Sequence, residues 1–140
     1  MQQEEDNLTP KYSFAKTERI CSKKIIKNLI VQNNTLFVYP FKCYYSIENT
    51  DNQDNSNQIV VSISKKIFKK AVDRNLLKRR TKEAYRIHKY GIIDSEDQIN
   101  HIQYKVLFVY IAKEILTYQQ IEKSLVQILK MLSQKSTHKI

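Results

Sequence analysis

Two hydrophobic periods alternate along this chain, and the switches between them divide it into seven predicted elements. From about Thr17 to Val31 the residues Ile20, Ile25, Ile26, Leu29 and Ile30 recur near helical spacing, with Lys23, Lys24 and Lys27 between them, which predicts a short amphipathic helix. Thr35 to Glu48, TLFVYPFKCYYSIE, is β-branched and aromatic and is broken by Pro40, so it predicts a short strand before the proline and a longer one after it. In the longer strand a period of two puts Phe41, Cys43 and Tyr45 on one face and Lys42, Tyr44 and Ser46 on the other. Asn49 to Gln58 is a polar, turn-forming loop. Gln58 to Ser64 then alternates Ile59, Val61 and Ile63 against Val60, Ser62 and Ser64, leaving the serines on the wetter face. A run of good helix formers without Pro or Gly starts at about Lys69.

Tyr90 to Ile102, with the single Gly91 and the acidic Asp94, Glu96 and Asp97, reads as a connector. Gln103 to Ala112, QYKVLFVYIA, is nearly continuous apolar, the mark of a strand covered on both faces. Thr117 opens a last helix with Gln120 at capping-box spacing and an apolar stripe of Ile121, Leu125, Ile128, Leu129 and Leu132. The expected architecture is α+β: one domain over residues 17–133, a four-stranded mixed sheet with three helices in the order α-β-β-β-α-β-α, the helices on one face. Residues 1–16, with Glu4, Glu5, Asp6 and Pro10, read as a mobile N-terminal tail and residues 134–140 as a C-terminal tail.

Charge changes this picture at one place. Between Lys65 and Lys89 stand eleven basic residues against two acidic ones, a net of +9, when the whole chain carries +10. Such concentration is the footprint of a polyanion-binding site. On the central helix Arg74, Lys78, Lys82 and Arg86 form an i, i+4 stripe with Arg79 beside it, while Leu76, Leu77, Ala84 and Ile87 fall on the other side. One face is thus expected to pack and the other to meet phosphates, the alternative being a solvated basic surface helix.

Other chemistries find little support. Cys21 and Cys43 lack metal-ligand spacing, and His88, His101 and His138 are far apart, so neither a zinc site nor a disulfide framework is expected. Most of the 14 acidic residues lie in the tail, the polar loop and the connectors, so no paired carboxylates for metal-assisted cleavage are expected to converge. No Gly-rich phosphate loop occurs, and no metal or catalytic residue is assigned. With neither a bilayer-spanning apolar run nor a signal-peptide pattern, the expected setting is the cytoplasm, without a membrane partner.

The stretch Ser64 to Arg86, SKKxxKxAVDRNLLKRRxKEAYR, resembles the signature of the bacterial ribonuclease P protein subunit, in which a strand ending in Ser-Lys-Lys leads into a helix with an Arg-Asn-Arg motif. Leu76 stands where the second Arg of that pattern often is, which loses a charge, and Lys82 replaces a usual Arg, which keeps the charge but not the planar fork. ERICSKKIIKNLI is similar to the family's opening helix, and the resemblance runs from about Thr17 to Leu132.

The resemblance implies a protein that binds the catalytic RNA and the 5′ leader of precursor tRNA and assists leader removal, the RNA performing the cleavage with its own Mg2+ while the protein holds no cofactor. Lys65, Lys66, Lys70, Arg74, Asn75, Lys78, Arg79, Arg80, Lys82 and Arg86 would face RNA. Ile26, Ile30, Lys42, Tyr44, Ser62 and Ser64 would form the leader cleft, Tyr44 standing where the family carries an aromatic contact and Ile26 and Ile30 where relatives often have Phe. It also implies a left-handed βαβ crossover against the right-handed default, the residues themselves leaving the hand open. Two rival readings are a structural RNA binder of ribosomal type and a self-sufficient metal nuclease.

Overall fold

The structure, a computed structural model, describes residues 19–20, 22–49, 57–90 and 102–139, with side chains as far as 135. The proposed N-terminal tail, Cys21, most of the polar loop and most of the connector lie outside the described residues. The elements follow the predicted order: α1 (Lys23–Gln32), β1 (Thr35–Val38), β2 (Phe41–Asn49), β3 (Gln58–Ile63), α2 (Ala71–His88), β4 (Ile102–Tyr110) and α3 (Tyr118–Lys139). The sheet order is β1-β2-β4-β3, with β3 and β4 parallel and the other pairs antiparallel. The hairpin β1–β2 turns at Tyr39 and Pro40, whose peptide bond is cis, and Val38 then pairs Phe41.

The main core lies between one sheet face and the helices α2 and α3. Phe41 and Cys43 of β2, Ile59, Val61 and Ile63 of β3, and Val106 and Phe108 of β4 meet Leu77 and Ala84 of α2 and the predicted stripe Ile121, Leu125, Ile128, Leu129 and Leu132 of α3. Phe41 packs edge-on against Phe108 and Tyr110, at ring centroids 5.7 and 5.8 Å apart. Burial pushes the Cys43 thiol far above its ordinary range, so it behaves as a small apolar residue. Thr117 and Gln120 close the expected capping box: Thr117 N–H donates to Gln120 Oε1 at 2.9 Å, and Gln120 N–H to Thr117 Oγ1 at 3.2 Å. His88 Nε2 and Glu122 Oε2, 2.7 Å apart, clasp α2 to α3.

Four expectations are corrected. The helices do not share one face: α1 covers the opposite side of the sheet, where Leu29 and Ile20 form a second cluster with Leu107. That helix also starts later than Thr17. Arg19 bridges Ile59 in parallel and Ile20 N–H donates to Ile59 O at 2.9 Å, so the chain is extended there, and Ser22 then caps α1 by accepting from Ile25 N–H at 3.4 Å. Ile87 is exposed rather than on the packed side of α2, where Thr81 and Tyr85 stand instead. Residues 134–139, expected as a tail, continue α3.

Candidate nucleic-acid interface

The turn between β3 and α2 presents the first lysines. Ser64 Oγ accepts from the backbone N–H of Lys66 at 3.1 Å and of Ile67 at 3.4 Å, and Ser64 O accepts from Phe68 N–H at 3.0 Å. The Ser-Lys-Lys run is therefore a serine-closed turn, which leaves Lys65 and Lys66 exposed, with Lys69 and Lys70 following. Arg74 secures the turn from the other side, its Nη1 donating to Phe68 O at 2.7 Å and to Lys69 O at 3.1 Å. Lysines crowded at a helix N-terminus oppose the helix dipole, a local cost that an anion bound there would offset.

Along α2 the nominated residues separate. Asn75 and Arg79 are exposed, and Lys78 and Lys82 are half-buried on the same flank. Burial first, then the charges of Arg19 and Lys78, hold the Lys82 ammonium below its ordinary range, so three cations stand close together there. Arg19 was not foreseen. It reaches this flank through its bridge to Ile59, forty residues away along the chain from any local pattern that names it. Arg86 pairs in a forked arrangement with Glu83, Nε to Oε1 at 3.1 Å and Nη2 to Oε2 at 2.7 Å, on an exposed surface. Arg80 stands apart from Lys78 and Lys82: its guanidinium donates to Leu116 O in the β4–α3 connection. Lys89, counted in the basic run, is buried, with its ammonium over the Tyr85 ring.

The leader-cleft candidates come together on the other side of the sheet. Strand register aligns Phe37, Lys42, Val109 and Ser62 in one cross-strand row and Thr35, Tyr44, Leu107 and Val60 in the next. Leu29, Ile25 and Ile26 of α1 pack on the second row, so that helix half-covers Tyr44 and leaves Lys42, Ser62 and Phe37 exposed. Asn28 and Gln32 line a pocket with Ser46, Glu48 and Lys105, which fixes that flank of α1 towards the far end of the strands. Ile26 and Ile30 lie on the opposite flank at ~100° per residue, along the open row. Lys42, Tyr44, Val109 and Ser62 thus share one sheet face, with Ile26 packed in the same cluster as Tyr44 and Val109, Ile30 exposed on that helix, and Ser62 two residues from the serine that closes the basic turn. The Lys42 ammonium lies 5.2 Å from the Tyr44 ring centroid.

Sequence reasoning missed Phe37 and Val109 as well as Arg19. Alternation around Pro40 put Phe37 on the face of Tyr44, a signal that was available; Val109 was hidden inside a continuously apolar strand.

Among the described residues no group of three or more His, Cys, Asp or Glu side chains is placed to hold a metal ion, and no helix is long and apolar enough to cross a membrane. A basic helix flank beside a sheet whose other face exposes Phe37, Lys42 and Ser62 suits a nucleic-acid-binding α+β protein. The profile of the family described as Ribonuclease P matches residues 14–133. The ribonuclease P protein component of Porphyromonas gingivalis is 26% identical over 116 residues, covering 83% of either chain. The solved RNase P protein of Staphylococcus aureus superposes with a TM-score of 0.57 at 25% identity, covering 82% of this chain and 94% of that one. The RNase P protein of Thermotoga maritima, at 19% identity, shares the fold with a TM-score of 0.63 over 81% of this chain and 96% of its own. The chain therefore belongs to the bacterial ribonuclease P protein family, accessory subunits of an endoribonuclease whose catalysis is performed by RNA.

Proposed function

We propose that this chain binds the catalytic RNA of ribonuclease P through the turn and outer flank of α2, and the 5′ leader of precursor tRNA through the sheet face beside α1. The observation that carries this reading is the continuity of the two surfaces: Ser62 ends the open row, and Ser64, two residues on, closes the turn that presents Lys65 and Lys66. Lys65, Lys66, Lys70, Lys78, Arg79 and Lys82 contact phosphates, with Asn75 as a hydrogen-bonding group among them. Arg74 shapes the turn and offers its remaining N–H groups, and Arg86 contacts RNA while oriented by Glu83. There Tyr44 offers a flat ring to one base, Lys42 answers a phosphate, and Ile26 and Ile30 exclude water. The protein positions the precursor, Mg2+ resides with the RNA, and the assembly works in the cytoplasm.

Reconstitution tests this. With cognate catalytic RNA the protein should stimulate leader removal, and the protein alone should cleave nothing; no stimulation would leave a structural RNA binder, and cleavage by protein alone a nuclease. Within the assembled complex Tyr44→Ala should weaken binding of a leader-bearing precursor by ~1–3 kcal/mol and hardly affect mature tRNA. Equal losses for both would assign Tyr44 to the fold.

A further inference from the structure

Phe37 is 60% exposed on β1, an edge strand of four residues. Its neighbours Leu36 and Val38 turn into the main core, so the ring stands on the opposite sheet face, the face of Tyr44 and Lys42. Edge strands are ordinarily blunted by charge or proline, because a large apolar side chain there invites pairing with another chain. The proline here lies beyond the strand, and the charge next to the ring is Lys42, its register partner. The row then continues through Val109 to Ser62. Three interstrand steps of ~4.8 Å separate Ser62 from Phe37, so the two ends of the row are roughly 14 Å apart. The helix α1 ends at Gln32 and packs over β2 and β4, and the Phe37 ring stays exposed.

We infer that Phe37 is a second stacking platform for the leader, placed across the strands from the basic turn, so that the bound strand crosses the sheet past Lys42 instead of ending at Tyr44. The inference rests on the leader reading above. A strand entering at Ser62 meets Val109, then the Lys42 ammonium, which suits the phosphate between two bases, and then a flat ring with no hydrogen-bonding group. Such a platform accepts any base, since every base has a π face. Phe37 thus adds affinity for leaders long enough to reach it, without a preference for sequence.

The test uses the assembled complex with its catalytic RNA and a series of precursor tRNAs whose leaders lengthen one nucleotide at a time, at one salt concentration. Wild type should gain affinity at the length that reaches β1, and Phe37→Ala should lack that gain, about tenfold for one stacked base, while matching wild type on shorter leaders. Phe37→Tyr should keep the gain, and Phe37→Leu, equally apolar without a flat ring, should lose it. A loss at every length, mature tRNA included, would make Phe37 structural and overturn the inference, as would no loss at any length or full retention by Phe37→Leu. RNA-free self-association that depends on Phe37 would assign the ring to a second copy of the chain, which also overturns it. Tyr44→Ala, run alongside, separates the two failures: leader dependence at Tyr44 without any at Phe37 removes only the extension, and dependence at neither removes the leader reading itself.

Discussion

Arg74 and Arg79 look equivalent as letters in a basic run, yet their surroundings give them different work. The Arg74 guanidinium holds two backbone carbonyls of the turn before α2, whereas Arg79 is exposed. Arg74→Ala should cost about 1–3 kcal/mol of stability, the range for hydrogen bonds to a charged group, and also weaken RNA binding. Arg79→Ala should leave the urea midpoint nearly unchanged and weaken RNA binding alone. Equal midpoints for the two variants would remove Arg74 from its structural role. The Glu83–Arg86 pair gives a sign that pH can check. Its hydrogen bond to Arg86 lowers the Glu83 carboxyl below the ordinary 4.5, against a smaller upward push from burial. A depressed folded-state pKa means that the pair's contribution is complete above about that ordinary value and fades as pH falls through the lowered one. The stability difference between wild type and Glu83→Gln should accordingly be small, constant near neutrality and shrinking in acid; a gap that widens in acid would contradict the assignment.

Elements were more legible than their placement. Pattern located every described helix and strand, because all but β4 bury one stripe or one alternating face and β4 is apolar on both, and Leu77, Ala84 and the α3 stripe are buried as the pattern requires. Leu77→Ala should therefore cost ~2–5 kcal/mol by leaving a cavity between α2 and the sheet, read as a lowered urea midpoint, with the folded fraction still binding RNA. A normal midpoint would mean that α2 is packed on another face. Period alone does not say which side of a sheet a helix covers, and α1 was put on the wrong one. The remedy was in β4: a strand apolar on both faces needs cover on both, and among the described residues Leu107 and Val109 find it in α1 and Ile20. The start of α1 was misjudged for a different reason. Ile20 fits the helical period, but its backbone pairs with Ile59 of β3, a long-range bond that no local window contains. Arg80 is the same lesson for the site, since its partner, Leu116 O, is thirty-six residues away.

At the scale of the whole molecule, a net charge of +10 is not a count of phosphate contacts. Of the eleven basic residues between Lys65 and Lys89, Lys89 is buried, Arg80 is turned to the β4–α3 connection, Arg74 holds its turn and Arg86 is paired with Glu83, which leaves Lys65, Lys66, Lys69, Lys70, Lys78, Arg79 and Lys82 as the remaining cations of that run. Neutralising Z phosphates releases counterions with a log–log salt slope of about −0.7Z to −0.9Z, so five to seven contacts predict a slope of roughly −4 to −6 for the catalytic RNA. Arg79→Ala should make that slope shallower by about 1, as removal of one phosphate contact does. Arg80→Ala removes the same formal charge and should leave the slope where it was, while loosening the connection that its guanidinium holds. Both variants carry the same net charge, so a bulk attraction between a basic protein and RNA would change the two slopes alike. Measuring affinity across a salt series for wild type and the two variants distinguishes these cases: equal reductions would mean that total charge governs binding, and a reduction confined to Arg79→Ala would locate the phosphate contacts on the flank of α2 that faces away from α3.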